Sequence, residues 1–134
     1  MIDLDNFKQV NDLSGHAVGD EVIKTVSLAL VRRLRSGDVA GRLGGDEFGV
    51  LLRRVTGEEA VLVSHDLLEA VSDSLALMDH EVARRVTLSI GIALVDGPKP
   101  TAGVLLERAD AAMYEAKRDG GGRVALWSGM LAGA

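Results

Sequence analysis

Gly44-Gly45-Asp46-Glu47-Phe48 constrains this chain more than any other stretch, because it sets two carboxylates on a glycine turn between apolar segments. Val39 to Leu43 lies upstream, and Phe48, Val50, Leu51 and Leu52 downstream read as a buried strand. Glycine reaches the positive φ values that two-residue hairpin turns require, so the Gly-Gly pair predicts paired strands over residues 39–43 and 47–52. Carboxylates on such a turn sit where a scaffold can present them to a metal or a substrate. Taken alone, the same stretch also describes a solvated acidic turn. The rest of the chain decides between these.

A length of 134 residues implies one domain, large enough to bury a core. Nearly half of the residues are apolar, which excludes a disordered chain. The absence of cysteine removes disulfides, thiolate nucleophiles and thiolate metal sites, and suits a reducing, cytoplasmic location. No apolar run approaches the roughly 20 residues that span a bilayer, and no secretory signal opens the chain. A net charge of −5 without a basic stripe argues against a nucleic-acid partner. An acidic domain that handles a polyphosphate needs a divalent cation to mediate the contact.

Periodicity supplies the order of elements. Residues 1–5 read as the end of a strand and 7–12 as a short turn of helix. Val22, Val26, Leu30 and Leu34 form the apolar face of a helix over 19–34; Val63, Leu67, Val71 and Leu75 do so over 58–77. Residues 86–95 are rich in β-branched side chains and predict a strand. Pro98 and Pro100 break the chain, and Thr101 is placed to cap a helix running to about residue 118. Gly120-Gly121-Gly122 ends that helix, and 123–127 reads as a final strand. The fold class this order suggests is α/β (α+β), with a mixed, mainly antiparallel sheet flanked by helices. Residues 1–128 form the expected domain, and 129–134 a short flexible tail. Trp127 and Tyr114 read as packing residues, and His16 as hydrogen-bonded scaffolding. His65 and His80 carry no motif.

Several separated segments carry a resemblance. They are Asp3-Leu4-Asp5-Asn6-Phe7-Lys8-Gln9-Val10-Asn11-Asp12, Gly15-His16-Ala17-Val18-Gly19-Asp20, Arg42 to Phe48, Thr87-Leu88-Ser89-Ile90-Gly91-Ile92-Ala93, and Ala109-Asp110-Ala111-Ala112-Met113-Tyr114-Glu115-Ala116-Lys117. In this order they resemble the GGDEF family, the diguanylate cyclases, over nearly the whole chain. The resemblance implies a nucleotidyl-cyclase-like, ferredoxin-like palm in which Asp3 ends a central strand beside the glycine hairpin. It implies a transient or regulated homodimer, each copy holding one GTP, that condenses two GTP into cyclic di-GMP with release of pyrophosphate and is inhibited by its product.

Such chemistry needs a positioned hydroxyl, metal ions on phosphate oxygens, and cations on the leaving group. Hard divalent ions take oxygen ligands, so Mg²⁺ (or Mn²⁺) falls to Asp3 and Asp46, with the Leu4 carbonyl added by family resemblance. Asp46 and Glu47 are the expected catalytic carboxylates; Glu47 either adds a metal contact or helps deprotonate the attacking hydroxyl. Side chains alternate along a strand, and Asp5 is expected on the face opposite Asp3 and ranked below it as a ligand. The amides of Asn6 and Phe7, at the start of a helix, favour phosphate, and Lys8 and Lys117 resemble the family's phosphate-binding lysines. Asn11 and Asp20 match the family's guanine contacts: Asp20 can accept from the ring N–H and amine, while the Asn11 amide donates and accepts. Asp20 also suits the first turn of a helix. Arg35 and Asp38 match the family's RxxD product-inhibition site; alone, that spacing marks a charged helix end.

Two departures accompany the match. The chain opens at Met1-Ile2-Asp3, so the family's preceding helix and the start of its first strand are expected to be missing, with exposed apolar surface as the result. Where the family reads Lys-x-x-Gly-Arg-Asn, this chain reads Lys117-Arg118-Asp119-Gly120-Gly121-Gly122. Gly121 thus replaces a triphosphate-binding arginine, a loss of roughly 1.5–3 kcal/mol unless Arg118 or Arg123 substitutes. The alternatives are a non-catalytic module that binds GTP or cyclic di-GMP, and a remnant that folds poorly.

Overall fold

The computed structural model describes residues 1–95, 98 and 100–129. Strict alternation in the first strand sets its architecture. In β1 (Ile2–Asp5), Ile2 and Leu4 are buried on one face, which turns Asp3 and Asp5 together to the other. The order continues as α1 (Phe7–Ser14), α2 (His16–Arg33), β2 (Val39–Arg42), β3 (Glu47–Leu51), α3 (Gly57–Ala76), α4 (Glu81–Arg84), β4 (Thr87–Ile92), α5 (Ala102–Arg118) and β5 (Arg123–Leu126). The five strands lie in the order β2-β3-β1-β4-β5, so β1 is central. All pairs are antiparallel except β4 with β5, as the mixed, mainly antiparallel expectation requires. The short α4 escaped prediction because its four residues are too few to show a period.

The apolar face of the sheet (Ile2, Leu4, Phe48, Leu88, Ile90) packs with Val22, Val26 and Leu30 of α2 and Leu67, Val71 and Leu75 of α3 in one core. Gly15, at φ 86, breaks α1 from α2, so α2 begins at His16, ahead of the expected start. Helix α5 covers the other face. Its start is the expected one: the Thr101 hydroxyl accepts from the Val104 amide at 3.2 Å. Among the described residues no helix is long and apolar enough to cross a membrane.

Some local expectations are corrected. Neither Gly44 nor Gly45 has a positive φ, and the connection is longer than a two-residue turn. It is held by Arg42, whose guanidinium donates to the carbonyls of Gly44 and Gly45 at 3.0 and 2.7 Å, and by the Glu47 carbonyl, which accepts from Leu43 and Gly44 at 2.9 and 3.4 Å. Tyr114 is 68% exposed and packs little, because it lies on the solvent side of α5. Trp127 is half-buried under the Arg108 guanidinium, 4.3 Å from the ring centroid. The exposed His16 imidazole makes no hydrogen bond among the described residues, so it is not hydrogen-bonded scaffolding. A cavity of about 400 Å³ lies where β3 and β4 run past Met1, between Val50, Leu51, Ile92 and Leu105. Residues 130–134 of the expected tail lie outside the described residues.

Candidate active site

Strand register assembles the acidic groups. Asp3 lies directly opposite Glu47 across the β1–β3 ladder, so both side chains share the face away from the core. The Leu4 amide donates to the Asp46 carbonyl at 3.0 Å, tying the hairpin to β1 and bringing Asp46 beside Asp3. The Leu4 side chain itself is buried in the core. Neither the Asp46 nor the Glu47 carboxylate has a hydrogen bond or ion pair among the described residues. Asp3 Oδ2 lies 3.2 Å from Lys117 Nζ, whereas Asp3 Oδ1 is buried without a partner. Burial pushes the Asp3 carboxyl above its usual pKa; Lys117 opposes the shift, and the charges of Asp46 and Glu47 add to it.

An orphaned buried oxygen beside further carboxylates is a donor set that fits a hard divalent cation. Among the described residues no group of three or more acidic or imidazole side chains is arranged to hold a metal ion. Mg²⁺ does not need one, since it binds through one or two carboxylates plus substrate phosphates.

Asp5 departs from expectation. It shares the face of Asp3, because residues two apart on a strand point the same way. Its Oδ2 accepts from the Thr87 hydroxyl at 2.7 Å and the Gly122 amide at 2.9 Å; its Oδ1 accepts from the Ser89 hydroxyl at 2.8 Å and Lys117 Nζ at 3.0 Å. Burial alone would push its carboxyl up, but the hydrogen bonds from Gly122, Thr87, Ser89 and Lys117 outweigh it and hold the group below the usual range. For Lys117, burial works downward and is outweighed by Asp5 and Asp3, so its ammonium is held above its ordinary pKa. Thr87 and Ser89 went unrecognised in the sequence. Their signal was period two: they stand opposite Asp5 and Asp3 in the β1–β4 ladder.

The guanine-reading candidates meet where α1 and α2 join. Asn11 on α1 is half-buried against the buried Gly19 of α2, and the exposed Asp20 follows directly. A Cβ at Gly19 would overlap Asn11 Oδ1 and come within 3.4 Å of the Phe7 ring, so only glycine lets the helices approach this closely. Asn6, at φ 67, turns the chain from β1 into α1 in a single residue. Its side-chain amide donates to the Arg85 carbonyl at 3.2 Å and does not cap the helix, leaving the first-turn amides from Phe7 onward without a side-chain cap. Lys8 is exposed and unpartnered among the described residues, while Lys117 is committed to Asp3 and Asp5.

Arg35 and Asp38 form a separate unit. The Asp38 side chain is 3% exposed and accepts from the amides of Arg35 and Arg53 at 3.0 and 3.1 Å. Those two amides hold its carboxyl below the usual range. The Arg35 guanidinium donates to the Arg53 carbonyl at 2.7 Å. Asp46 precedes β3 and Arg53 follows it, so this unit lies at the opposite end of β3 from the acidic site.

Gly120, Gly121 and Gly122 have φ values of 115, 72 and 61, and a Cβ at Gly121 would lie 2.8 Å from Asp5 Oδ2. A side chain at 121 is therefore incompatible with the Asp5 cluster in this loop conformation. Of the two candidate substitutes, Arg123 folds back, its Nε donating to the Gly121 carbonyl at 3.3 Å, whereas Arg118 lies 3.9 Å from the Asp119 carboxylate.

Residues 1–123 match the family described as diguanylate cyclase, GGDEF domain. A probable diguanylate cyclase of Escherichia coli K12, DgcE, is 41% identical over 133 residues, covering 99% of this chain and 12% of the relative. The diguanylate cyclase TpbB of Pseudomonas aeruginosa PAO1 is 39% identical over 122 residues, covering 90% of this chain and 28% of the relative. The chain thus spans a minor part of the length of these curated relatives. The crystal structure of the GGDEF domain of PA1120 (YfiN or TpbB) from P. aeruginosa superposes with a TM-score of 0.84 at 37% identity, over 95% of this chain and 79% of that one. The GGDEF domain of DgcB from Caulobacter crescentus, in complex with c-di-GMP, superposes with a TM-score of 0.83 at 31% identity, over 93% of this chain and 74% of that one.

Proposed function

Because the chain belongs to the diguanylate cyclase GGDEF family, we propose that it is a catalytic module condensing two GTP into cyclic di-GMP with release of pyrophosphate. The observation that supports this reading is the orphaned buried Oδ1 of Asp3, on a strand that pairs with Glu47 and is bonded to the Asp46 carbonyl. Mg²⁺ or Mn²⁺ held by Asp3, Asp46 and the Leu4 carbonyl would neutralise charge on the phosphate oxygens. Asn11 and Asp20 hold the guanine edge, and the amides of Asn6 and Phe7 with Lys8 hold the phosphates. Lys117 adds positive charge beside β1. Glu47, whose carboxylate is unpartnered among the described residues and lies across from Asp3, would orient or deprotonate a 3′-hydroxyl. One site holds one GTP, so two copies must meet about a two-fold axis for each hydroxyl to reach the other's α-phosphate. Cyclic di-GMP formation from GTP and Mg²⁺ should then rise more steeply than linearly with protein concentration. A linear rise would remove the dimer from this reading, and no product from a cooperatively folded sample would remove the cyclase.

Gly19→Ala tests the guanine contacts. The new methyl must displace Asn11 Oδ1, so the affinity for GTP is expected to fall about tenfold in calorimetric titration. Unchanged affinity would take Asn11 out of the site.

For the product site we propose that Arg35 grips cyclic di-GMP and inhibits turnover. Asp38 is spent on the Arg35 and Arg53 amides, so its part is to hold the loop in shape. Arg35→Ala is expected to weaken product inhibition at least about tenfold, with the initial rate at low product within about twofold. Unchanged inhibition would assign the motif to loop closure alone.

Gly121 favours a second reading, a module that binds nucleotide without turnover, since its loop conformation excludes the family's arginine. Binding of cyclic di-GMP without any product from GTP would select it.

A further inference from the structure

Lys117 is shared between two carboxylates of different character. Its ammonium lies 3.2 Å from Asp3 Oδ2 and 3.0 Å from Asp5 Oδ1. Asp3 has one further oxygen, buried and without a partner. Asp5 has none to spare: Thr87, Ser89, Lys117 and the Gly122 amide fill both of its oxygens from β4, α5 and the turn before β5. Asp3 is therefore the carboxylate with coordination capacity left, and Asp5 the one already fixed in place.

We propose that Asp5 is a positioning residue for the metal site, a second seat that takes over Lys117 when a divalent cation binds Asp3. This rests on the reading of Asp3 as a metal ligand. A cation on Asp3 repels the ammonium at the neighbouring oxygen. With Asp5 only 3.0 Å away the lysine needs almost no movement to settle there, and the hydroxyls of Thr87 and Ser89 keep that carboxylate aimed at it. Without Asp5, Lys117 has only Asp3 as a partner and competes with the metal for it. The same arrangement accounts for Gly121: any side chain there would strike the Asp5 carboxylate and dislodge the seat.

Mn²⁺ binding, followed by electron paramagnetic resonance at fixed pH and ionic strength, tests this through a double-mutant cycle on the full chain. Asp5→Asn is expected to raise the Mn²⁺ Kd about tenfold, equivalent to about 1.4 kcal/mol. Lys117→Met alone should tighten binding about threefold, and in that background Asp5→Asn should change Kd less than about twofold. Equal factors for Asp5→Asn with and without Lys117→Met would overturn the proposal, since Asp5 would then act only as a distant negative charge. Failure of Lys117→Met to tighten binding would overturn it too, and that arm still decides if Asp5→Asn does not fold. Asp3→Asn separates the levels. If it leaves Mn²⁺ binding unchanged, the metal-site reading itself falls and takes this one with it; if it abolishes binding while the cycle is additive, only the role of Asp5 falls.

Discussion

Asp46→Ala is expected to lower cyclic di-GMP formation from GTP and Mg²⁺ by about a thousandfold, with the melting temperature within about 2 °C of the parent. The separation of the two readouts follows from where Asp46 spends its groups. Its backbone carbonyl accepts the Leu4 amide and anchors the hairpin to β1, and alanine keeps that bond. Its carboxylate makes no hydrogen bond or ion pair among the described residues, so the fold loses nothing with it. On the proposed reading the site loses a metal ligand, which Asp3 and Glu47 would not replace, since both sit on the ladder one residue further along. Chromatography of the product beside a thermal melt checks both halves. A rate within about tenfold of the parent would mean that the carboxylate is not at the reacting phosphates.

Gly91→Ala is expected to destabilise the chain by about 3 kcal/mol, a drop of about 10 °C in melting temperature for a domain of this size. Gly91 lies on the face of β4 that α5 covers, and an added Cβ would overlap the backbone of Ala109 and Met113. Backbone cannot rotate away as a side chain can, so the helix must lift from the strand. Lys117 rides on that helix, and its ion pairs with Asp3 and Asp5 should loosen with it. Gly103→Ala on the same helix is the control. Its Cβ would meet only Thr101 Oγ1, at 3.9 Å, so the substitution should be neutral or stabilising by about 0.4–1 kcal/mol. Equal melting temperatures for the two variants would show that the approach of α5 to β4 does not govern stability.

Much of the fold was legible because it is local. A repeat every four residues placed α2 and α3, a run of β-branched side chains placed β4, and a threonine after two prolines marked the start of α5. The glycine hairpin was legible as a hairpin but not in its mechanism: backbone angles at Gly44 and Gly45 answer to the Arg42 staple, which no turn preference encodes. The sequence singled out Asp3, Asp46 and Glu47, and strand register brings these three residues near one another. Asp5 is the instructive case, because alternation alone already places it beside Asp3, and its expected place on the opposite face misapplied that rule.

By itself, then, the sequence determined where the longer helices and the strands fall, which side chains form the apolar faces of α2 and α3, and which carboxylates end up on a turn or a strand end, since each depends on neighbours a few residues away. Only the tertiary structure decided who partners whom. Asp5 meets Thr87, Ser89, Lys117 and Gly122, at sequence separations of 82, 84, 112 and 117 residues, while Asp3 keeps an oxygen without a partner. Those outcomes follow from the register of β1 against β3 and β4 and from the seat of α5 on Gly91. Register is set by burying one whole face of the sheet at once, a property that no single segment possesses.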